Sequence, residues 1–143
     1  MNLVFEKSDI VTESFVKWLV DDIKYRLCMS LNTAKLDAIQ EEADILYNSK
    51  INLYDVFLRA VDNLTYTSSE YAFTIAVDIK SFVPNTLVKY DTVIKLIEYG
   101  NTSVDGCMVF SKVFYSVKTN LNTYFTRYKF GLGGGEHVGR IVR

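Results

Sequence analysis

Apolar residues three and four apart mark the first stretch of the chain. Phe15, Val16, Leu19, Val20, Ile23 and Leu27 share one side, and Lys17, Asp21, Asp22 and Lys24 fall on the other. The spacing predicts an amphipathic helix over about 10–29, capped by Ser8 or Thr12, with Trp18 at the edge of its apolar face. Ser30 and Asn32 interrupt the pattern. A second helix follows over about 33–47 with Leu36, Ile39, Ala43 and Leu46 in one stripe and Glu41, Glu42 and Asp44 on a solvated face. Asn48-Ser49-Lys50 reads as a turn. Asn52 then caps a third helical segment carrying Leu53, Val56, Phe57, Ala60, Val61 and Leu64.

The period then drops from 3.6 to 2. Tyr71, Phe73, Ile75, Val77 and Ile79 alternate with Ala72, Thr74, Ala76, Asp78 and Lys80, which predicts a strand. Thr67-Ser68-Ser69 is the turn before it, and Leu64-Thr65-Tyr66 the other arm of a hairpin. Pro84 makes the run Phe82–Val88 an edge strand or a loop. Tyr90, Val93, Ile94 and Ile97 predict a short helix that begins near Asp91 and stops at Gly100. After the loop Asn101–Gly106, Ser103 or Asp105 is expected to cap a last helix of some twenty residues ending at Gly131. Its stripe is Phe110, Val113, Phe114, Val117, Leu121, Tyr124, Phe125 and Tyr128. A helix with aromatic residues on several sides is either central to the core or shared with a partner.

These elements predict an α+β fold: N-terminal helices, a small, mostly antiparallel sheet, a long C-terminal helix and an extended tail. One domain is expected over 1–131 and a flexible Gly-rich arm over 132–143. Five of the seven glycines lie between Gly131 and Gly139, and glycine loses the most backbone freedom on ordering. Val138, Ile141 and Val142 are poor linker residues, so the arm is expected to order against a neighbour. A single clear strand also leaves backbone groups without partners, so open sheet edges are expected.

Composition changes this picture little. A chain of 143 residues that is 49% hydrophobic supports one core. Residues 1–70 hold 12 acidic and 7 basic residues (−5), and residues 71–143 hold 5 and 9 (+4), which gives the net charge of −1. That asymmetry suits head-to-tail contact between copies, or records only drift of surface charge. No apolar run reaches 18 residues, so no membrane span is expected, and no signal peptide is visible. Cys28 and Cys107 lack a CxxC partner and read as free buried thiols in helical segments.

The chemistry of catalysis is not spelled out. The single histidine, His137, sits in the glycine arm, where fixed geometry for a general base is denied. Asp21-Asp22 and Glu41-Glu42 are the remaining carboxylate pairs for a hard cation, and adjacent acids on helices mostly face water. Gly131–Gly135 follows a helix and precedes no GK[ST], so it is no phosphate cradle. Tyr124, Arg127, Tyr128, Lys129 and Phe130, with Arg140 and Arg143, interleave basic and aromatic groups, a pattern also used on single-stranded nucleic acid.

The stretch Val93–Asn101 followed by a final helix resembles the neck and tail-completion proteins of tailed bacteriophages. Glu98-Tyr99-Gly100 matches that family's "V-E-Y-G-T" element, Leu53 stands where it has its "T-G-x-L" leucine, and Tyr71–Ile79 takes the strand position. The order of elements covers roughly 10–130. Three positions depart from the pattern. Ser49–Asn52 has no Thr-Gly, Asn101 replaces the threonine, and Met108-Val109-Phe110 lacks a proline-phenylalanine opening. The resemblance implies a non-enzymatic, cofactor-free virion protein that forms a homo-oligomeric ring at the head-tail junction after assembly in the host cytoplasm. Its partners would be connector or tail-tube subunits, with Leu53, Glu98, Tyr99 and Gly100 structural. The interface candidates are Tyr124, Tyr128, Phe130, Val138, Arg140, Ile141 and Val142. The alternative is a small nucleic-acid-associated protein using the basic-aromatic C-terminal region.

Overall fold

Three side-chain oxygens start the three N-terminal helices in the computed structural model, which describes residues 1–131. Thr12 Oγ1 accepts from Phe15 N–H (3.2 Å) at the head of α1 (Glu13–Met29). Asn32 Oδ1 accepts from Lys35 N–H (3.0 Å) at α2 (Thr33–Tyr47), and Asn52 Oδ1 from Asp55 N–H (3.2 Å) at α3 (Leu53–Asp62). Each oxygen satisfies a backbone donor that the helix itself cannot. The α1 stripe lies in the core as its spacing predicts, and Trp18, expected at the edge, is also fully buried.

On α2 the buried stripe ends at Ala43, and Leu46, expected within it, is exposed. The cause is the return of the chain. Gln40 donates to Ile51 O (2.7 Å) and accepts from Leu53 N–H (2.9 Å). The α2–α3 connection is thus tied to the middle of α2, leaving its last turn beyond the packed region. Leu53 itself is fully buried.

The sheet has three antiparallel strands in the order β1-β3-β2: β1 (Asn2–Glu6), β2 (Leu64–Ser68) and β3 (Ala72–Val77). The predicted hairpin is β2–β3, with Ser69 N–H closing it on Ala72 O (2.9 Å). Its turn falls two residues later than expected, because Thr67 and Ser68 pair with Thr74 and Phe73. The N-terminal strand β1 was not expected. It pairs with β3 in the register Leu3↔Ile75 and Phe5↔Phe73 and buries Leu3 and Phe5. The strand that lacked a partner in the sequence is therefore the central one, and the open edges belong to β1 and β2.

Beyond the sheet, the Phe82–Lys89 stretch carrying Pro84 is a loop pinned by Val83 N–H to Val88 O (2.8 Å). Then α4 (Tyr90–Tyr99) ends at Gly100, whose φ of 69° lies in the left-handed region. The last helix departs from expectation twice. Neither Ser103 nor Asp105 caps it; α5 (Val109–Thr119) begins after Met108, itself left-handed at φ 52°. It is also not one long helix. Asn120 Nδ2 bonds Ser116 O (2.8 Å) and Thr119 Oγ1 bonds Tyr115 O (2.9 Å), so side chains take carbonyls from the helical ladder. The chain restarts as α6 (Leu121–Thr126) and ends in a π-turn over Arg127–Gly131. Phe125 and Tyr128 fold back on α1, each with its ring centroid 5.5 Å from that of Phe15. The result is an α+β fold with one continuous core running from Leu3 to Tyr124.

Candidate interaction surface

The Glu98-Tyr99-Gly100 element folds into the joint between α4 and α5. Glu98 is fully buried, and its carboxylate receives the backbone N–H of Phe110 (3.0 Å) and Ser111 (2.8 Å) and the Ser111 hydroxyl. A negative charge at orphan donors in the first turn of a helix is favoured by both hydrogen bonding and the helix dipole. It takes the place of the missing cap on α5. The backbone helps: Cys107 N–H bonds Ile97 O (2.8 Å) and Met108 N–H bonds Glu98 O (3.0 Å). The loop between is a tight one. Asn101 Oδ1 accepts from Ser103 and Val104 N–H (2.8 and 3.0 Å). A side chain at Gly100 would place its Cβ 2.2 Å from Val104 O, and one at Gly106 would place it 2.2 Å from Glu98 O. Glu98 and Gly100 are built into this joint, whereas Tyr99 points elsewhere and is 57% exposed.

Tyr99 faces the open edge of β1. Lys7 N–H donates to Tyr71 O (2.7 Å) and Val77 N–H to Met1 O (3.4 Å), so odd-numbered residues of β1 turn their backbone groups to β3. Asn2, Val4 and Glu6 therefore present N–H and C=O outward. Among the described residues no backbone bond reaches them.

Two clefts of about 480 Å³ each run along this edge and share Val4 and Lys118. The first lies between Met1–Val4 and the α5 residues Phe110, Phe114 and Tyr115, with Tyr99 at its end. The second continues past Phe5, Glu6 and Val11 to Leu121. The edge of β2 differs: it lies beside α1, and Tyr66 Oη donates to Glu13 Oε1 (3.2 Å).

The other sequence candidates disperse. Tyr124 is buried, with the Arg26 guanidinium over its ring at 4.9 Å and that of Arg127 at 5.9 Å, so it serves the fold. Tyr128 is half-buried against Phe15 and Trp18. Of the described interface candidates, Phe130 alone keeps most of its ring free, at 77% exposure. Val138, Arg140, Ile141 and Val142, like His137 and the arm over 132–143, lie outside the described residues.

Asp21 and Asp22 do not converge: Asp22 is buried and pairs with Arg26 (2.7 Å), while Asp21 is exposed. Glu42 receives Asn101 Nδ2 (2.7 Å) and Glu41 is exposed. Among the described residues, no three His, Cys, Asp or Glu side chains gather as a metal set, and no helix is long and apolar enough to cross a membrane.

The cysteines correct the sequence reading in part. Cys107 is buried but lies in the connection before α5, outside any helix. Cys28, expected buried, is exposed on α1 because its position falls off the buried stripe. Burial pushes the Cys107 thiol up, with the Glu98 charge adding to it. Partial shielding, then the Asp62 carboxylate, pushes Cys28 up. No family model, curated protein or solved structure matches this chain.

Proposed function

We propose that this chain is a non-enzymatic structural subunit that works by assembling with copies of itself. In this reading it is a virion protein of a tailed phage, ring-forming at the head-tail junction, in contact with connector or tail-tube subunits. The observation that carries the reading is the β1 edge. Three residues there offer backbone donors and acceptors without a backbone partner among the described residues, beside an aromatic-walled cleft, and an uncovered strand edge is a template for another chain. Large apolar side chains elsewhere on the surface add to it. Leu87 is 94% exposed at the pinned 82–89 loop, and Tyr115, on the cleft wall, is 72% exposed. The charge asymmetry between the halves suits a heterologous contact, which closes into a ring when the rotation allows.

Mass measurement of the purified full-length protein by sedimentation, alone and with virion partners, tests the reading. An oligomer of defined copy number, ring-shaped in low-resolution images, is expected. A strictly monomeric full-length chain that also joins no virion component would overturn it.

A further inference from the structure

We propose that the β1 edge is the seat for residues 138–143 of a second copy of this chain, added as a fourth strand. The inference rests on the assembly reading above and names the contact that assembly would use. The seat asks for extended backbone, because Asn2, Val4 and Glu6 present alternating outward N–H and C=O groups. It also asks for apolar side chains on one side, because Leu3, Phe110 and Phe114 line the adjoining cleft.

The sequence beyond Gly131 supplies both. Val138-Gly139-Arg140-Ile141-Val142-Arg143 contains three β-branched apolar residues and matches the five residues of β1 in length. Gly133, Gly134 and Gly135, in the preceding segment, carry no side chain that a turn would have to accommodate. Six residues, 132–137, reach at most about 20 Å when extended, enough to cross to an adjacent subunit. On the seat Glu6 is exposed and can meet Arg140 or Arg143, while Lys7 and Lys118 flank it. Each copy would give one arm and accept another, a head-to-tail contact.

The alternation in β1 provides a clean variant. Val4→Pro removes an outward N–H and leaves the inward ladder at Leu3 and Phe5 intact. The full-length Val4→Pro protein is expected to fold and to associate at least about tenfold more weakly than the parent. Undiminished association would overturn the proposal.

A second measurement does not depend on how well that variant folds. Full-length chains carrying Val4→Cys are mixed with full-length chains carrying Ile141→Cys, each also with Cys28→Ser, and oxidised mildly. A disulfide joining the two different chains is expected. The proposal falls if no such bond forms, or if a third chain carrying both substitutions cross-links only to itself. Should the parent assemble while the cross-link fails, the arm is refuted and the assembly reading stands. Should the parent never assemble, the assembly reading falls with it.

Discussion

The first turn of α5 faces two polar sites that the chain treats in opposite ways. At the Glu98 junction the buried polar groups meet at hydrogen-bond distance: one carboxylate takes two backbone donors and a hydroxyl from Phe110 and Ser111. Along β1, Phe110 and Ser111 border a cleft whose opposite wall carries backbone groups with no partner among the described residues. The difference follows from water. A donor sealed from solvent must find a partner or destabilise the fold, whereas a donor at a strand edge is hydrated until another chain displaces that water. The junction therefore belongs to folding, and the edge, in the proposed reading, to association. Substitutions at the first should move stability, and those at the second should move copy number.

The largest effect is expected at Glu98. Glu98→Ala strands two backbone N–H groups and a hydroxyl, and should lower stability by roughly 3 kcal/mol in urea unfolding. Glu98→Gln keeps the shape but turns an amide N–H₂ toward donors, and should lose less, on the order of 2 kcal/mol. Unchanged stability in both would mean that the carboxylate is not what joins α4 to α5. Next in size are the glycines of the same bend. Gly100→Ala places a methyl 2.2 Å from the Val104 carbonyl oxygen on a backbone at φ 69°. The expected loss is roughly 2 kcal/mol. Neither glycine nor carboxylate substitutions should change how the edge associates in the fraction that remains folded.

The same contrast explains what the sequence disclosed. Helix faces were legible because Phe15, Leu19 and Ile23 repeat locally, and the caps at Thr12 and Asn52 sit beside the helices they start. The hairpin was legible because β2 and β3 are neighbours in the chain. Strand β1 was not, since its partner β3 lies some seventy residues away and exposed Val4 blurs its short alternation. The capping role of Glu98 was not legible, and Ser103 or Asp105 stood in its place. A buried carboxylate reads in the sequence like any solvated acid, and its partners at Phe110 and Ser111 are backbone groups without a residue signature. The break at Asn120 left a weak trace, the polar run Lys118-Thr119-Asn120 between Val117 and Leu121. Open sheet edges were expected from a single clear strand, but their place on β1 was not, because β1 itself was not legible.

The smallest expected effect uses the two thiols to watch the two kinds of site. Cys107 is buried next to the Glu98 junction, and Cys28 is exposed on α1. Alkylation followed by mass spectrometry should modify Cys28 first and reach Cys107 only when the junction opens, so Glu98→Ala should narrow the gap between them. Both thiols are held above their ordinary pKa in the folded chain, chiefly by burial. A raised folded-state value means the native chain binds the proton more tightly than the unfolded one. Any stability from this source is therefore present below the ordinary thiol range, near pH 8.5, and is lost as pH rises through it. Urea midpoints should accordingly decline modestly above about pH 9, and Cys107→Ala should flatten that decline more than Cys28→Ala does. An equal response to the two replacements would place both cysteines in equivalent surroundings, and would contradict a sealed junction beside an open edge.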